Sequence, residues 1–285
     1  MTNTNNSLID TWEKYKKWVS GLVDSKKEYY YRGQADSGWK LETTFHREAA
    51  SSSFTMDDYL TRILPEVHYH VSAIQNEIID SNNPNEFGAF LALLRHHGFP
   101  TPLLDWTLSP YIGAYFAFKE INDRSPQCDH VKIFIFDHVA WLSSFEQPMD
   151  LREKKQYVTV IRPYAKHNER IIHQRGAYTV TNVPDMAAYI LKRGRDVNKS
   201  FLFEVVLPVS ERTKVMRELH LMGITEMSLF PGLDGVCRTM KEQFFSKDIV
   251  GLSPQQIKEL LNNLSKTTTQ STTSLLDQFN VLGKK

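Results

Sequence analysis

The chain has 285 residues, a formal net charge of +1 and 24% charged side chains, so no global field draws it to nucleic acid or to an acidic lipid surface. With 41% hydrophobic residues the composition is globular, which excludes a disordered or fibrous chain and allows one large domain or two small ones. Cys128 and Cys237 form no CxxC or metal-ligand spacing and read as free thiols, so no metal is expected. The polar start has no apolar core of signal-peptide length, and no apolar run reaches membrane-spanning length. The expected location is cytoplasmic, with no membrane contact.

In chain order, Leu8, Trp12, Trp18, Val19 and Leu22 lie among charges and predict an amphipathic helix over 7–22. "KEYYYRGQ" (27–34) is an aromatic strand ending near Gly33. Residues 56–80 are helical by spacing, bent near Pro65. Residues 83–98 form another helix, stopped by Gly98 in a left-handed cap. "TPLLDWT" is short and extended. "SPYIGAYFAFKEIND" is a helix with Ser109 as N-cap and Pro110 at its first position.

Thereafter 131–137, 156–164, 176–182 and 199–208 read as strands, rich in Val, Ile, Phe and Tyr. Residues 210–223 predict a helix capped by Ser210 and ended by Gly223, and 223–245 run from a strand or loop into a helix. A helix-rich part over 1–122 and a strand-rich part over 123–252 argue one α+β domain, a helical N-terminal half packed on a mostly antiparallel sheet. Residues 253–285 follow as a short helix and a Ser/Thr-rich mobile tail. No Gly-rich phosphate loop or GxGxxG occurs.

Three segments together resemble the FRG domain, a bacterial family named for an F/Y-R-G motif. "YYRGQADSGWKLETTFHRE" carries Tyr31, Arg32, Gly33, Gln34, Trp39, Leu41 and Arg47; "LALLRHHGFPTPLLDWTLSPYIGAYFA" is its most characteristic run; "HQRGAYTV" and "GITEMSLFPGLDG" form a weaker third. Arg95 stands where the family commonly has Gln, and Pro102 where Arg is frequent. The order of motifs is also similar to mono-ADP-ribosyltransferases of the Arg-Ser-Glu type. That likeness implies an ADP-ribosyltransferase-like core, with Arg32 as the strand-one arginine, Thr107 and Ser109 in the Ser-Thr-Ser position and Glu226 as the late glutamate. Leu108 replaces the central hydroxyl of that motif, and Ile224 stands where a paired glutamate would.

The resemblance implies an enzyme that uses NAD as substrate and modifies a macromolecular acceptor, protein or nucleic acid, as a bacterial toxin or phage-defence effector with a possible neutralising partner protein. Such chemistry needs a planar cation for the diphosphate, which Arg32 beside Gly33 and Gln34 would supply, or Arg32 stacks on Tyr30 or Trp39. It needs a carboxylate near the developing sugar cation. Glu226 is one candidate and Asp105 the other, each with a bland alternative as an exposed turn residue or a loop brace. His96 would pair with Asp105 as proton-transfer partner or in support; with His97 it makes a poor metal site, since adjacent helical residues point about 100° apart. Thr107, Ser109, Tyr115 and Gln174 would complete the cofactor-binding set, although Ser109 is explained as a cap and Tyr115 as core.

Two readings from other classes stay open. One is a non-catalytic module that binds a nucleotide or a protein. The other is a nuclease or nucleic-acid binder built on the basic 152–175 stretch, which is otherwise a solvated edge.

Overall fold

Tyr29, Tyr30 and Tyr31 are all buried, and the last two open the strand around which the sheet is arranged, as large aromatic side chains favour. The computed structural model describes residues 9–25, 27–75, 79–80, 83–121, 128–148, 150–164 and 169–245. A first compact unit is Met1–Thr239 and a second is Met240–Lys285; the short helix and tail expected over 253–285 lie outside the described residues. The elements begin with α1 (Trp12–Ser25), β1 (Tyr30–Gln34), α2 (Thr44–Ser52), α3 (Met56–Asp58), a π-helical turn (Tyr59–Ile63), α4 (Leu64–Gln75) and α5 (Pro84–His96). Then come β2 (Leu103–Thr107), α6 (Pro110–Phe118), β3 (His130–Phe136), α7 (His138–Ser144), β4 (Val158–Ile161), α8 (Arg170–His173), β5 (Gly176–Thr181) and α9 (Met186–Asp196). β6 (Leu202–Pro208), α10 (Arg212–Leu221), α11 (Glu226–Leu229) and α12 (Leu233–Phe245) complete the order.

The six strands form one sheet in the order β4-β5-β2-β1-β3-β6, with every pairing antiparallel. The fold is therefore α+β. The two central strands come from the helix-rich N-terminal part, and helices α7 to α10 run between and after the later strands. Three of those helices, α7, α8 and α9, escaped sequence reading. α9 carried its signal, since Asp185 accepts the Ala188 N–H as an N-cap before an amphipathic run.

Local chemistry explains the other boundaries. α1 starts at Trp12 rather than at residue 7, because Thr11 takes the Lys14 N–H on Oγ1 (3.4 Å) and the Tyr15 N–H on its carbonyl (3.0 Å). Near Pro65 the helix widens into the π turn, where the Leu64 N–H reaches back to the Tyr59 carbonyl; the wider turn accommodates a residue that has no N–H of its own. Ser210 is not a cap. It lies inside a 3₁₀ turn (Val209–Glu211), and α10 begins after Glu211, whose carboxylate accepts the Trp12 N–H at 2.6 Å. Gly98 and Gly223 do end their helices with positive φ, 83° and 78°.

Strand alternation sorts the core into three clusters. Tyr31, Ile133, Ile135, Val205 and Leu207 pack under α1, α6 and α10. Tyr30, Trp106, Phe134, Phe136 and Leu202 face α7 and α9. Leu103, Tyr178, Val180 and Ile161 meet α2, the π turn, α4 and α5. Gly33 is fixed by the first of these contacts: a Cβ there would lie 2.2 Å from the Gly113 carbonyl oxygen and 2.3 Å from the Ala117 nitrogen. The motif glycine therefore exists so that α6 can lie on β1, not to loosen Arg32. No helix among the described residues is long and apolar enough to cross a membrane.

Candidate functional site

The two central strands part soon after they meet. β1 and β2 are bridged by one residue pair, Tyr31 with Thr107. Beyond it Arg32, Gly33 and Gln34 keep partners on β3, whereas Asp105 and Trp106 keep theirs on β5. A cavity of about 960 Å³ opens at this divergence, large enough for a ligand of nucleotide or dinucleotide size. Six cationic side chains line it, Arg32, Lys40, Arg47, Arg95, Lys119 and Arg170, against three carboxylates, Glu42, Asp105 and Glu120. Trp39, Trp106, Phe116 and Phe230 supply aromatic wall. The near-neutral whole chain thus concentrates positive charge in one hollow.

Arg32 spans the gap between the strands. Its Nη1 donates to the Asp105 main-chain carbonyl at 2.8 Å, and the same atom lies 3.8 Å from Asp105 Oδ2. Arg95, at the end of α5, takes that Oδ2 at 2.7 Å. Burial draws the Arg32 guanidinium down to about 10, Asp105 opposes that shift, and Arg95 and Arg47 add to it. The Nε atoms of Arg32 and Arg95 and the Oε1 of Gln34 are buried at this wall without a hydrogen-bond partner, an unusual cluster, since buried polar atoms are normally satisfied. The Gln34 amide Nε2 already donates to the Lys40 carbonyl at 3.0 Å, so its free oxygen waits for a donor.

At the other end, Thr107 Oγ1 donates to the Gln174 carbonyl (2.7 Å) and accepts the Ser109 N–H (3.0 Å). Ser109 Oγ accepts the Ile112 N–H as the N-cap of α6. Gln174 Nε2 donates to the Leu229 carbonyl at 3.2 Å. These polar side chains brace the loop where β2 turns into α6. Lys119 closes the wall, its Nζ 4.5 Å from the Phe230 ring centre and 3.6 Å from Glu226 Oε2; the Arg170 guanidinium lies 5.1 Å from the same ring.

Of the residues expected from sequence, Arg32, Gly33, Gln34, His96, Asp105, Thr107 and Gln174 line the cavity. Glu226, Ser109 and Tyr115 do not. Glu226 is 4% exposed; its carboxylate accepts the Tyr115 hydroxyl at 2.6 Å and the Arg238 Nη1 at 3.1 Å. Of the three remote regions expected to share one pocket, Arg32 and Asp105 lie together on the cavity wall, while Glu226 sits behind Lys119. Its position as the first residue of α11, after the Thr225 cap, directs it inward. The Asp105 carboxylate is taken by two arginines.

Sequence reading left Arg95, Lys119, Arg170 and Phe230 out of the candidate site. Arg95 had a signal, as the departure from the family's usual Gln. The other three reach the cavity only because α6, α8 and the residue after α11 converge there, which no local pattern encodes.

Fold and cavity define an α+β protein on a six-stranded antiparallel sheet, with a cationic, aromatic-walled cleft where the central strands separate. Residues 27–125 match the family model for the FRG domain, which supports the FRG family likeness of the first two motifs; the third, at 173–235, lies outside the matched stretch. No curated protein and no solved structure matches the chain.

Proposed function

We propose that the cavity between β1 and β2 binds NAD and that the protein transfers ADP-ribose from it to a macromolecular acceptor. The observation that carries the binding half is the set of buried, unpartnered polar atoms at the cavity wall, Arg32 Nε, Arg95 Nε and Gln34 Oε1, which suits a ligand bearing both anionic oxygens and hydroxyl or N–H donors. In this reading Arg32, Arg95 and Arg47 orient the diphosphate. Trp39 and Phe116 offer faces for the rings, and Lys119 and Arg170 keep the far end electropositive. NAD supplies a nicotinamide–ribose bond whose cleavage releases ADP-ribose for transfer. The test is incubation of the protein with NAD and assay of released nicotinamide. Release by the parent and loss of release in Arg32→Gln support the proposal; no release with or without cell extract as acceptor sinks the enzymatic half.

One observation favours a second reading, a module that binds a nucleotide without turnover. Neither expected carboxylate is free for chemistry: Asp105 is taken by two guanidiniums and Glu226 is enclosed by Tyr115, Lys119 and Arg238. Calorimetry separates the two readings, since binding of ADP-ribose together with absent nicotinamide release is the signature of the module.

A further inference from the structure

The geometry points to a sugar-phosphate subsite at the Asp105 corner of the cavity, in which Arg32, Arg47 and Arg95 receive the phosphate and the Asp105 carboxylate is an internal competitor for it. This deepens the nucleotide reading above and rests on it for the ligand class.

Asp105 pairs with two of the three guanidiniums on this wall. Asp105 Oδ2 is 2.7 Å from Arg95 Nη2 and 3.8 Å from Arg32 Nη1, so a single oxygen is shared unequally between two of them. A guanidinium pairs best through two parallel N–H bonds, yet both Nε atoms are left without a partner. Asp105 therefore satisfies this corner poorly. Arg47 lowers the Arg32 guanidinium further by like-charge repulsion and is itself held by Nη1 to the Glu42 carbonyl at 3.1 Å, which leaves that bond independent of any ligand.

Removing the carboxylate does not release Arg32. Its short bond runs to the Asp105 main-chain carbonyl at 2.8 Å, which every residue at that position provides. The Asp105 side chain is 38% exposed, so it can turn away and leave its place to an incoming anion. A phosphate group offers three oxygens where the carboxylate presents one to the arginines. Gln34 adds the second half of the specificity. It is 6% exposed, and an anion cannot satisfy its unpartnered Oε1, because that atom requires a donor. A ligand with a hydroxyl beside its phosphate supplies that donor, which is the chemistry of a phosphorylated sugar.

The test is calorimetric titration of the full-length protein at low salt with inorganic pyrophosphate and with ribose 5-phosphate. Both bind. Asp105→Asn, nearly isosteric, tightens pyrophosphate by about tenfold, as removal of a competing charge within ion-pair distance implies. Arg95→Gln weakens it by about tenfold. Gln34→Ala weakens ribose 5-phosphate and leaves pyrophosphate unchanged. The inference is overturned if neither probe binds, or if Asp105→Asn melts like the parent but binds pyrophosphate equally or more weakly. Should that variant fail to fold, unchanged pyrophosphate affinity in Arg95→Gln overturns it instead. Neither probe contains a nicotinamide bond, so binding without NAD turnover counts against the proposed activity alone. NAD turnover without the Asp105→Asn effect counts against this subsite alone.

Discussion

Two carboxylates sit among cations, one on the cavity wall and one behind it, yet they differ in kind. On the wall Asp105 is partly exposed, shares one oxygen between Arg95 and Arg32, and leaves polar atoms unsatisfied nearby. Behind Lys119, outside the cavity lining, Glu226 is buried and both its oxygens are engaged, Oε2 by Tyr115 and Lys119 and Oε1 by Arg238. A completed cluster holds structure together, whereas an incomplete one has room for a ligand. The residue that family ordering marks for chemistry sits behind the wall, and the better-placed polar groups surround Asp105.

Replacing Glu226 tests this contrast most strongly. Glu226→Ala leaves Lys119 and the Tyr115 hydroxyl without their buried acceptor and should cost about 4 kcal/mol of stability, read by denaturant unfolding. Asp105→Asn should cost less than about 1 kcal/mol, since its ion pair is partly solvated. A Glu226 variant that melts like the parent would erase the distinction.

Acid is the next probe. His46 precedes Arg47 on α2, is buried, and has its Nδ1 2.7 Å from Thr43 Oγ1; burial depresses its ring from the ordinary 6.5 to about 4. Between those values the unfolded chain binds a proton that the folded one refuses, so stability is full above pH 6.5 and falls as pH drops toward 4. The loss amounts to about 3 kcal/mol from this group alone. The flank carrying Arg47 should loosen with it. His46→Gln should flatten that part of the pH–stability curve, and an unchanged curve would remove His46 as the cause.

Gly33→Ala strikes both carboxylate clusters, because β1 carries Arg32 to Asp105 and α6, with Lys119 just after it, carries Tyr115 to Glu226. A Cβ at 2.2–2.3 Å from α6 backbone atoms cannot be absorbed by side-chain motion, and a loss of about 2–3 kcal/mol in thermal unfolding is expected. Ser109→Ala is the mildest. It removes the N-cap of α6 and should cost about 1 kcal/mol, with ligand binding at the Asp105 corner unaffected.

Much of the local structure was legible along the chain. Ser109 followed by Pro110, Gly98 after His96, and the aromatic run into Arg32-Gly33 each name their element, because capping, positive φ and sheet preference act over a few residues. Those signals place α6, the end of α5 and β1, and enrichment in Val, Ile, Phe and Tyr marks the later strands. The site divides differently. Arg32 and Asp105 were visible as an arginine and an acid in apolar company. Their meeting across two strands 73 residues apart depends on a sheet order, β2-β1-β3, that no local period encodes.

Sequence alone settled where β1, the end of α5 and α6 lie and that positive charge was available. The tertiary structure alone decided where β1 and β2 separate, which cations face that gap, and that Glu226 turns into the protein rather than toward a ligand. The physical reason is range: capping and periodicity are satisfied within one or two turns, whereas a cavity and its charge balance arise only when side chains far apart in the chain are brought within a few ångströms and removed from water.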